Sequence, residues 1–300
     1  MSISSASYVA ARATPWQRAQ DYLELTKPKI MLMELVTVAV ASVVASGGAP
    51  QVWLVFHAVL GTLLVGAGAC AWNQWLERHS DVLMARTADR PLPAGRLGSR
   101  EAMLAASLAS LSGVVYLGLL TNVLTAALGA ASWVLYVGIY TPMKARSPFN
   151  TVVGAVAGAL PILMGWTAVG GSLGLSAATL FLIVFLWQFP HFMSIAWIYR
   201  RQYAAAGLKM LSVVDPSGMR GGAQAVWGAL TLIPVSLLPA LLGVAGPTYF
   251  LWALALGVGQ LICAALFWLK MTDHSARILL RASLIYLPAL LFWLMLGPRG

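Results

Sequence analysis

Residues 53–96 read WLVFHAVLGTLLVGAGACAWNQWLERHSDVLMARTADRPLPAGR, an apolar run that passes directly into a dense cluster of ionisable side chains. The apolar part, predicted as a span over residues 53–75, is long enough to cross a hydrocarbon layer of roughly 30 Å as a helix. The polar part, residues 73–96, is unusual in a chain of 300 residues that is 60% hydrophobic and only 9% charged. Because charged groups next to lipid are costly, the cluster predicts the chemical centre of a membrane protein.

Eight further apolar runs of similar length occur along the chain. In lipid each must be helical, because an unpaired backbone group there costs several kcal/mol. The sequence therefore predicts an all-α, polytopic membrane protein with nine transmembrane helices in a single domain over residues 1–300, of which residues 1–25 form a cytoplasmic N-terminal segment. The predicted spans are 30–46, 53–75, 102–120, 123–140, 151–169, 175–199, 223–242, 249–269 and 278–296.

The formal net charge of +10 would suit nucleic acid, but the distribution of the basic residues does not. They occupy the N-terminal segment and the connections after the second, fourth, sixth and eighth spans, whereas the alternate connections contain none. This positive-inside pattern predicts an N-terminus in the cytoplasm and a C-terminus outside, in a bacterial cytoplasmic (inner) membrane. The expected surroundings are a lipid bilayer and no nucleic acid. The two long polar connections, 78–101 and 200–222, lie on the cytoplasmic side, where we expect the function.

Three oxygen-bearing side chains, Asn73, Glu77 and Asp81, follow one another at intervals of four residues. On a helix this spacing keeps them on one face, with a drift of about 40°. Two carboxylates and an amide suit Mg²⁺, which prefers hard oxygen ligands and keeps water or phosphate in its shell. A transition metal is disfavoured because no Cys or His pair lies at ligand spacing. A solvated helix end whose acids pair with Arg78 or Arg86 explains the spacing equally well.

Basic side chains follow this trio in the same loop and in the next inner loop. Cations beside a magnesium site suit a diphosphate, whose charge they stabilise together with the metal. The alternative is contact with anionic lipid headgroups, worth about 1 kcal/mol per residue. The residues concerned are Arg86, Arg90, Arg96, Lys144 and Arg146.

Glu34 is the one acidic residue predicted well inside a span, a position that normally indicates function. It lies about one turn below the inner boundary marked by Lys29. There, snorkelling or a pair with a basic loop residue explains it equally well. The sequence therefore assigns it no role.

Several separated segments share motifs with one known family. Residues 73–95 fit the pattern N-x-x-x-[DE]-x-x-x-D-x-x-M-x-R-T-x-x-R-P-x-P-x-G in register. Two further segments are YTPMKARSPFNTVVGAVAGALPILMGW at 140–166 and WQFPHF at 187–192, and the ends carry LTKPKI at 25–30 and ASLIYLPALLF at 282–292. As a set, these motifs resemble those of the heme O synthases (protoheme IX farnesyltransferases), a branch of the UbiA-type intramembrane prenyltransferases. The resemblance covers the chain after about Asp21.

The resemblance implies a nine-helix bundle around a central cavity that is open to lipid and capped by cytoplasmic loops. It implies transfer of the farnesyl group of farnesyl diphosphate to a vinyl group of heme b, forming heme O and diphosphate, with Mg²⁺ as cofactor. Hand-over of the product to a downstream heme-modifying enzyme or terminal oxidase is compatible with this activity. Carried over by position, the metal ligands and catalytic residues are Asn73, Glu77 and Asp81, with Lys144 also catalytic. The implied diphosphate contacts are Arg86, Arg90, Lys144, Arg146 and Lys29.

The sixth span departs from the wider superfamily, whose members generally carry a second aspartate-rich motif there. Residues 185–203 contain no acid, so a second carboxylate-held Mg²⁺ is in doubt. His191 and Tyr203 are the expected contacts of the heme acceptor, because a neutral imidazole can ligate heme iron. A core histidine bonded to a neighbouring carbonyl is the alternative. Pro190 is expected to break the helix locally.

Two other functions stay open. A UbiA-type prenyltransferase for an aromatic or quinone-precursor acceptor would use the same diphosphate site, but it should show paired aspartates within residues 187–203. A secondary transporter for an anionic lipid or metabolite would use the same cations for binding. Transporters usually place charge near the bilayer midplane, whereas here the charge collects at the inner ends.

Overall fold

The computed structural model describes residues 14–296, which contain helices and no strand. Within this part of the chain nine helices are long and apolar enough to cross a membrane, which confirms the predicted number. The spans are α2 (Pro28–Ala45), α3 (Val52–Asp81), α4 (Ser99–Leu120), α5 (Val123–Trp133) continued by a π-helix (Val134–Tyr140) and α6 (Thr141–Met143), α7 (Asn150–Ala168), α8 (Leu175–Ile198), α11 (Met219–Leu241), α12 (Pro247–Lys270) and α13 (Asp273–Leu296). A short helix, α1 (Pro15–Leu25), precedes the first span, and two more, α9 (Arg200–Ala205) and α10 (Leu211–Val214), lie between α8 and α11.

Helix α3 is longer than the membrane requires. Its 30 residues span about 45 Å, against roughly 30 Å of hydrocarbon. The predicted span ended at residue 75, but the helix continues through the polar residues to Asp81. The inner end of α3 therefore extends past the apolar layer and carries the polar trio with it.

Helix α1 packs against the inner loop that follows α3. It begins with a capping box, in which Thr14 and Gln17 satisfy each other's backbone N–H groups, and with Pro15 in the first turn. The Arg96 side chain binds Asp21 and Glu24 of this helix at 2.7 and 2.8 Å. Of the predicted N-terminal segment 1–25, residues 1–13 lie outside the described residues. The remainder consists of Thr14 and helix α1.

Glycines allow the spans to approach closely. A Cβ added at Gly165 of α7 would lie 2.1 Å from the Val38 carbonyl oxygen of α2. One at Gly113 of α4 would lie 2.6 Å from the backbone nitrogen of Val65 in α3. Contacts of α2 with α3, α7 and α13 and of α8 with α7, α11 and α13 tie the spans into one bundle with a cavity between them.

The prediction that Pro190 breaks the sixth span is wrong. Helix α8 runs from Leu175 to Ile198 with Pro190 inside it. Helix α11 packs directly on this point, since a Cβ at Gly228 would lie 2.8 Å from the Phe189 Cβ and 3.1 Å from the Pro190 Cδ. In a membrane span, local adjustment and a neighbouring helix offset the missing hydrogen bond, so the helix continues.

Candidate active site

The inner end of α3 brings the polar trio together. Asn73 and Asp81 are fully buried, and the Glu77 side chain is 11% exposed. All three lie on one face of an unbroken helix, as their spacing predicted. The alternative of a solvated helix end is not what the structure has, and neither Arg78 nor Arg86 pairs with these acids.

Each member of the trio contacts a different cation. Lys27 Nζ donates to Asn73 Oδ1 at 2.5 Å, and Lys144 Nζ lies 2.7 Å from Glu77 Oε1. Arg90 Nη1 donates to Asp81 Oδ2 at 2.8 Å. The sequence interpretation had placed Lys144 and Arg90 at the diphosphate, and the structure brings both to the trio.

The π-helical turn positions the opposite side of this cluster. Asn73 Nδ2 donates to Thr141 Oγ1 at 3.0 Å, and the Thr141 hydroxyl donates to the Tyr136 carbonyl at 2.8 Å. Lys144 follows one turn later, and its carbonyl accepts from Lys209 N at 2.6 Å. Turns of this kind often occur at functional sites, and this one aims Thr141 and Lys144 at α3.

The pKa values of the two lysines shift in opposite directions. Burial lowers the pKa of Lys27 to about 8. Burial also opposes the charge on Lys144, but the Glu77 carboxylate outweighs it and raises the pKa of Lys144 above its ordinary value. Glu77 therefore stabilises the charged form of Lys144, whereas Lys27 loses its proton more easily than an exposed lysine does.

Three further predicted diphosphate contacts lie outside this buried cluster. Lys29, Arg86 and Arg146 are exposed, and none has an ion pair among residues 14–296. The Arg86 guanidinium stacks 4.8 Å from the centroid of the Tyr199 ring. Of these three side chains, Lys29 lines the main cavity.

A cavity of about 410 Å³ lies between the spans. Helices α2, α3, α7, α8 and α13 and the α5–α6 span line it, mostly with apolar and aromatic side chains. Tyr136 and Cys70 line the cavity, and they also lie beside the polar cluster: the Tyr136 hydroxyl is 3.4 Å from Lys27 Nζ, and Cys70 is one turn before Asn73. The cavity and the polar cluster are therefore adjacent.

His191 lies on the α8 wall of this cavity. Its Nδ1 is 2.9 Å from Ser283 Oγ, and its ring stacks on Trp187 at 5.0 Å. The ring is therefore bonded to a hydroxyl group and not to a backbone carbonyl, as the alternative interpretation had it. Its Nε2 has no hydrogen bond to the described residues, so this nitrogen is available to a ligand in the cavity.

The structure does not bring Tyr203 to His191. Tyr203 of α9 is buried against Met84, Leu208 and Met210, and it is absent from the cavity lining. Sequence reasoning grouped the two residues because Tyr203 closely follows the WQFPHF motif that contains His191, but α9 carries Tyr203 back over the loop after α3.

The trio fits a magnesium ion bound together with a diphosphate. Asp81 Oδ1 is buried with no hydrogen-bond partner among the described residues, although Oδ2 is paired. A buried free carboxylate oxygen is costly unless a ligand completes it. Residues 14–296 contain no cluster of three or more His, Cys, Asp or Glu side chains that could hold a metal through side chains alone. A site of two carboxylates and an amide would leave coordination positions for diphosphate and water, as Mg²⁺ prefers.

Sequence reasoning missed Lys27. It selected Lys29 from the LTKPKI motif, but Lys27 is the lysine that reaches Asn73. Lys27 has a positive φ of 52° between α1 and α2, and Pro28 then starts α2. The K-P pair signals a helix start, yet the left-handed backbone that turns this side chain toward α3 has no signature in the motif.

Relatives with curated descriptions match nearly the whole chain. A protoheme IX farnesyltransferase of Solibacter usitatus is 44% identical, over 93% of this chain and 99% of the relative. One from Koribacter versatilis is 43% identical, over 93% of both chains. A mitochondrial protoheme IX farnesyltransferase of Arabidopsis thaliana is 37% identical, over 93% of this chain and 65% of the relative.

Solved structures share the fold at low identity. A digeranylgeranylglyceryl phosphate synthase superposes with a TM-score of 0.79 at 17% identity, covering 93% of this chain and 98% of the other. A UbiA homolog from Archaeoglobus fulgidus bound to GPP and Mg²⁺ superposes with a TM-score of 0.69 at 18% identity, over 92% and 99%. The pattern of the UbiA prenyltransferase family matches residues 35–295. The helices, the polar cluster and these matches lead to one conclusion: the chain belongs to the UbiA prenyltransferase family.

Proposed function

We propose that this protein is a magnesium-dependent protoheme IX farnesyltransferase, which joins farnesyl diphosphate, heme b and water to give heme O and diphosphate. The observation that carries the proposal is the junction of a buried polar cluster with an apolar cavity that contains His191. The cluster suits a diphosphate, and the cavity suits a prenyl chain and a porphyrin. Relatives of this description at 36–44% identity support the choice of substrates.

The first step breaks the bond between farnesyl C1 and the diphosphate oxygen. The electron pair leaves with the diphosphate, so negative charge grows on the leaving group. Lys144, Arg90 and Lys27 stabilise that charge because they are already held at the trio before the reaction begins. Asn73, Glu77 and Asp81 would hold Mg²⁺, which when bound supplies further positive charge to the same oxygens.

The cavity wall protects the prenyl carbon while it is positively charged. Tyr136 and Tyr140 stack on each other at 5.3 Å, and both line the cavity next to the cluster. Aromatic faces attract a cation by about 0.5–2 kcal/mol. The apolar lining also limits premature capture by bulk water.

His191 is the proposed contact for the heme acceptor. With Nδ1 at Ser283, its Nε2 is the nitrogen that faces heme iron or a propionate. The π electrons of a heme vinyl group then form the new bond to farnesyl C1. The protein would do this from an inner-membrane position with its N-terminus in the cytoplasm, and pass the product to a downstream heme-modifying enzyme or terminal oxidase.

The test is a reconstituted reaction. Purified protein in detergent is incubated with Mg²⁺, heme b and farnesyl diphosphate, and the porphyrins are analysed by liquid chromatography and mass spectrometry. We expect a more hydrophobic heme that is heavier by a farnesyl and a hydroxyl group, in amounts that follow diphosphate release. Unchanged heme together with prenylation of a phenolic acid would instead indicate an aromatic acceptor, and protein-dependent uptake without any product would indicate a transporter.

A further inference from the structure

Glu34 of α2 is an acidic side chain inside a membrane span that the reaction described so far does not use. It lines the cavity, and its carboxylate has no ion pair or hydrogen bond to the described residues. Among the described residues Glu34 therefore does not form the ion pair with a basic loop residue that the sequence analysis considered. An unpaired carboxyl group within the hydrocarbon region is costly and usually indicates a function.

Two hydroxyl groups lie beside Glu34 in the cavity lining. Thr37, one turn later on α2, donates its hydroxyl to the Glu34 backbone carbonyl at 2.6 Å. Thr62 of α3 is 2% exposed and its Oγ1 has no hydrogen-bond partner. The absence of a side chain at Gly66 brings α3 close, because a Cβ there would lie 3.3 Å from Glu34 Oε2. A carboxylate and two hydroxyls on facing helices make a small polar patch in an apolar wall.

Glu34 and the proposed acceptor contact lie at similar distances along their own helices. Glu34 is six residues from the inner end of α2, or about 9 Å, and His191 is seven residues from the inner end of α8, or about 10 Å. Both side chains line the cavity, from different walls. A porphyrin held at His191 would therefore share this cavity with the Glu34 side chain.

Two other polar side chains of the cavity are already engaged. Ser132 donates to the Ala157 carbonyl, and Gln188 donates to the Ala155 and Val184 carbonyls. Among the residues that line the cavity, Glu34 carries the only carboxylate. It is the one group there that becomes uncharged when it accepts a proton.

We propose that Glu34, with Thr37 and Thr62, forms a water-binding subsite in which the Glu34 carboxylate takes the proton of the water that supplies the product hydroxyl. This inference rests on the proposed function. After farnesyl C1 bonds to the terminal vinyl carbon, the inner vinyl carbon is positively charged. The water oxygen bonds to that carbon, its proton passes to Glu34, and the product has gained one farnesyl and one hydroxyl group. Without the base, the intermediate loses a proton from carbon and gives an alkene lighter by one water.

The experiment compares Glu34→Gln with the wild-type protein in isotopically labelled water. The measured quantity is the ratio of hydrated to anhydrous farnesylated heme, alongside diphosphate release. The wild-type product should carry the label in its hydroxyl group, and the ratio should fall about 100-fold in Glu34→Gln, the size expected for loss of a general base. Glu34→Asp keeps a carboxylate and should recover most of the hydrated product.

Controls separate this inference from the proposed function. Glu24→Gln makes the same substitution at a half-exposed residue that pairs with Arg96, and it should leave the ratio unchanged. An unchanged ratio in Glu34→Gln, an equal ratio in the Gln and Asp variants, or an unlabelled hydroxyl group would each overturn the subsite. A folded Glu34→Gln protein that forms neither product would place Glu34 in the diphosphate step and overturn it as well. Absence of any farnesylated heme from the wild-type protein would refute the proposed function itself.

Discussion

Asp81 is a fully buried carboxylate with one oxygen on Arg90 and the other without a partner among the described residues. Asp81→Asn keeps an oxygen and the shape of the side chain but removes the charge. We expect kcat/KM for diphosphate release to fall about 100-fold or more, as when one preorganised stabilising group is lost from an active site.

The matched control is Asp89→Asn in the same loop. The Asp89 side chain is fully exposed and lies 3.2 Å from Arg96, at the outside of the cap. We expect normal activity there, because exposed ion pairs contribute little. Full activity in Asp81→Asn would remove the magnesium assignment, and loss of activity in both variants would mean that the whole loop is sensitive.

For single residues, the sequence predicted the three oxygen-bearing side chains better than the cations that contact them. The i, i+4, i+8 spacing of Asn73, Glu77 and Asp81 required only that the helix continue, so a local rule was sufficient. The contacts of Lys27 and Lys144 depend on where α2 and the α5–α6 span lie beside α3, which no local pattern encodes. Lys144 was found through a family motif, whereas Lys27 needed the structure.

At the scale of elements, Gly165 sets how closely α7 approaches α2. Gly165→Ala would place a Cβ 2.1 Å from the Val38 carbonyl, which is backbone and cannot swing aside. The two helices must then separate, and we expect destabilisation of about 1–3 kcal/mol, seen as a lower thermal midpoint in detergent.

Gly259→Ala of α12 is the control for this change. A Cβ at Gly259 meets nothing within 4 Å, and alanine favours a helix over glycine by about 1 kcal/mol. The midpoint should stay constant or rise. A Gly165→Ala protein as stable as this control would contradict the close α2–α7 contact.

The sequence predicted the spans well because their length and apolarity are direct requirements of the bilayer. It placed the end of the second span six residues early, since apolarity ends at residue 75 while the helix continues to Asp81. It did not predict the π-helix at Val134–Tyr140, at whose end both the backbone N–H and the hydroxyl of Thr141 donate to the Tyr136 carbonyl. It was wrong at Pro190 because the support from α11 is a tertiary contact.

For the molecule as a whole, the charge asymmetry of the connections predicts its direction in the membrane. A reporter enzyme that is active only outside the cytoplasm, fused after Gly300, should be active, because nine spans return the chain to the outer side. The same reporter inserted in the loop around Asp89 should be silent. A reporter that is silent after Gly300 and active around Asp89 would contradict a cytoplasmic N-terminus. The polar cluster would then lie on the outer face of the membrane.

The contacts at the inner end of α3 also set the net charge of the pocket formed by the trio and its cations. The three cations that touch the trio outnumber its two carboxylates by one. A prenyl diphosphate trianion carrying one divalent ion has a net charge of minus one, so the filled pocket would be electroneutral. Since transfer of net charge toward lipid is costly, metal-free diphosphate, which would leave the pocket with a net charge of minus two, should bind less well. The pocket would thus select its substrate by total charge as well as by the fit of the chain.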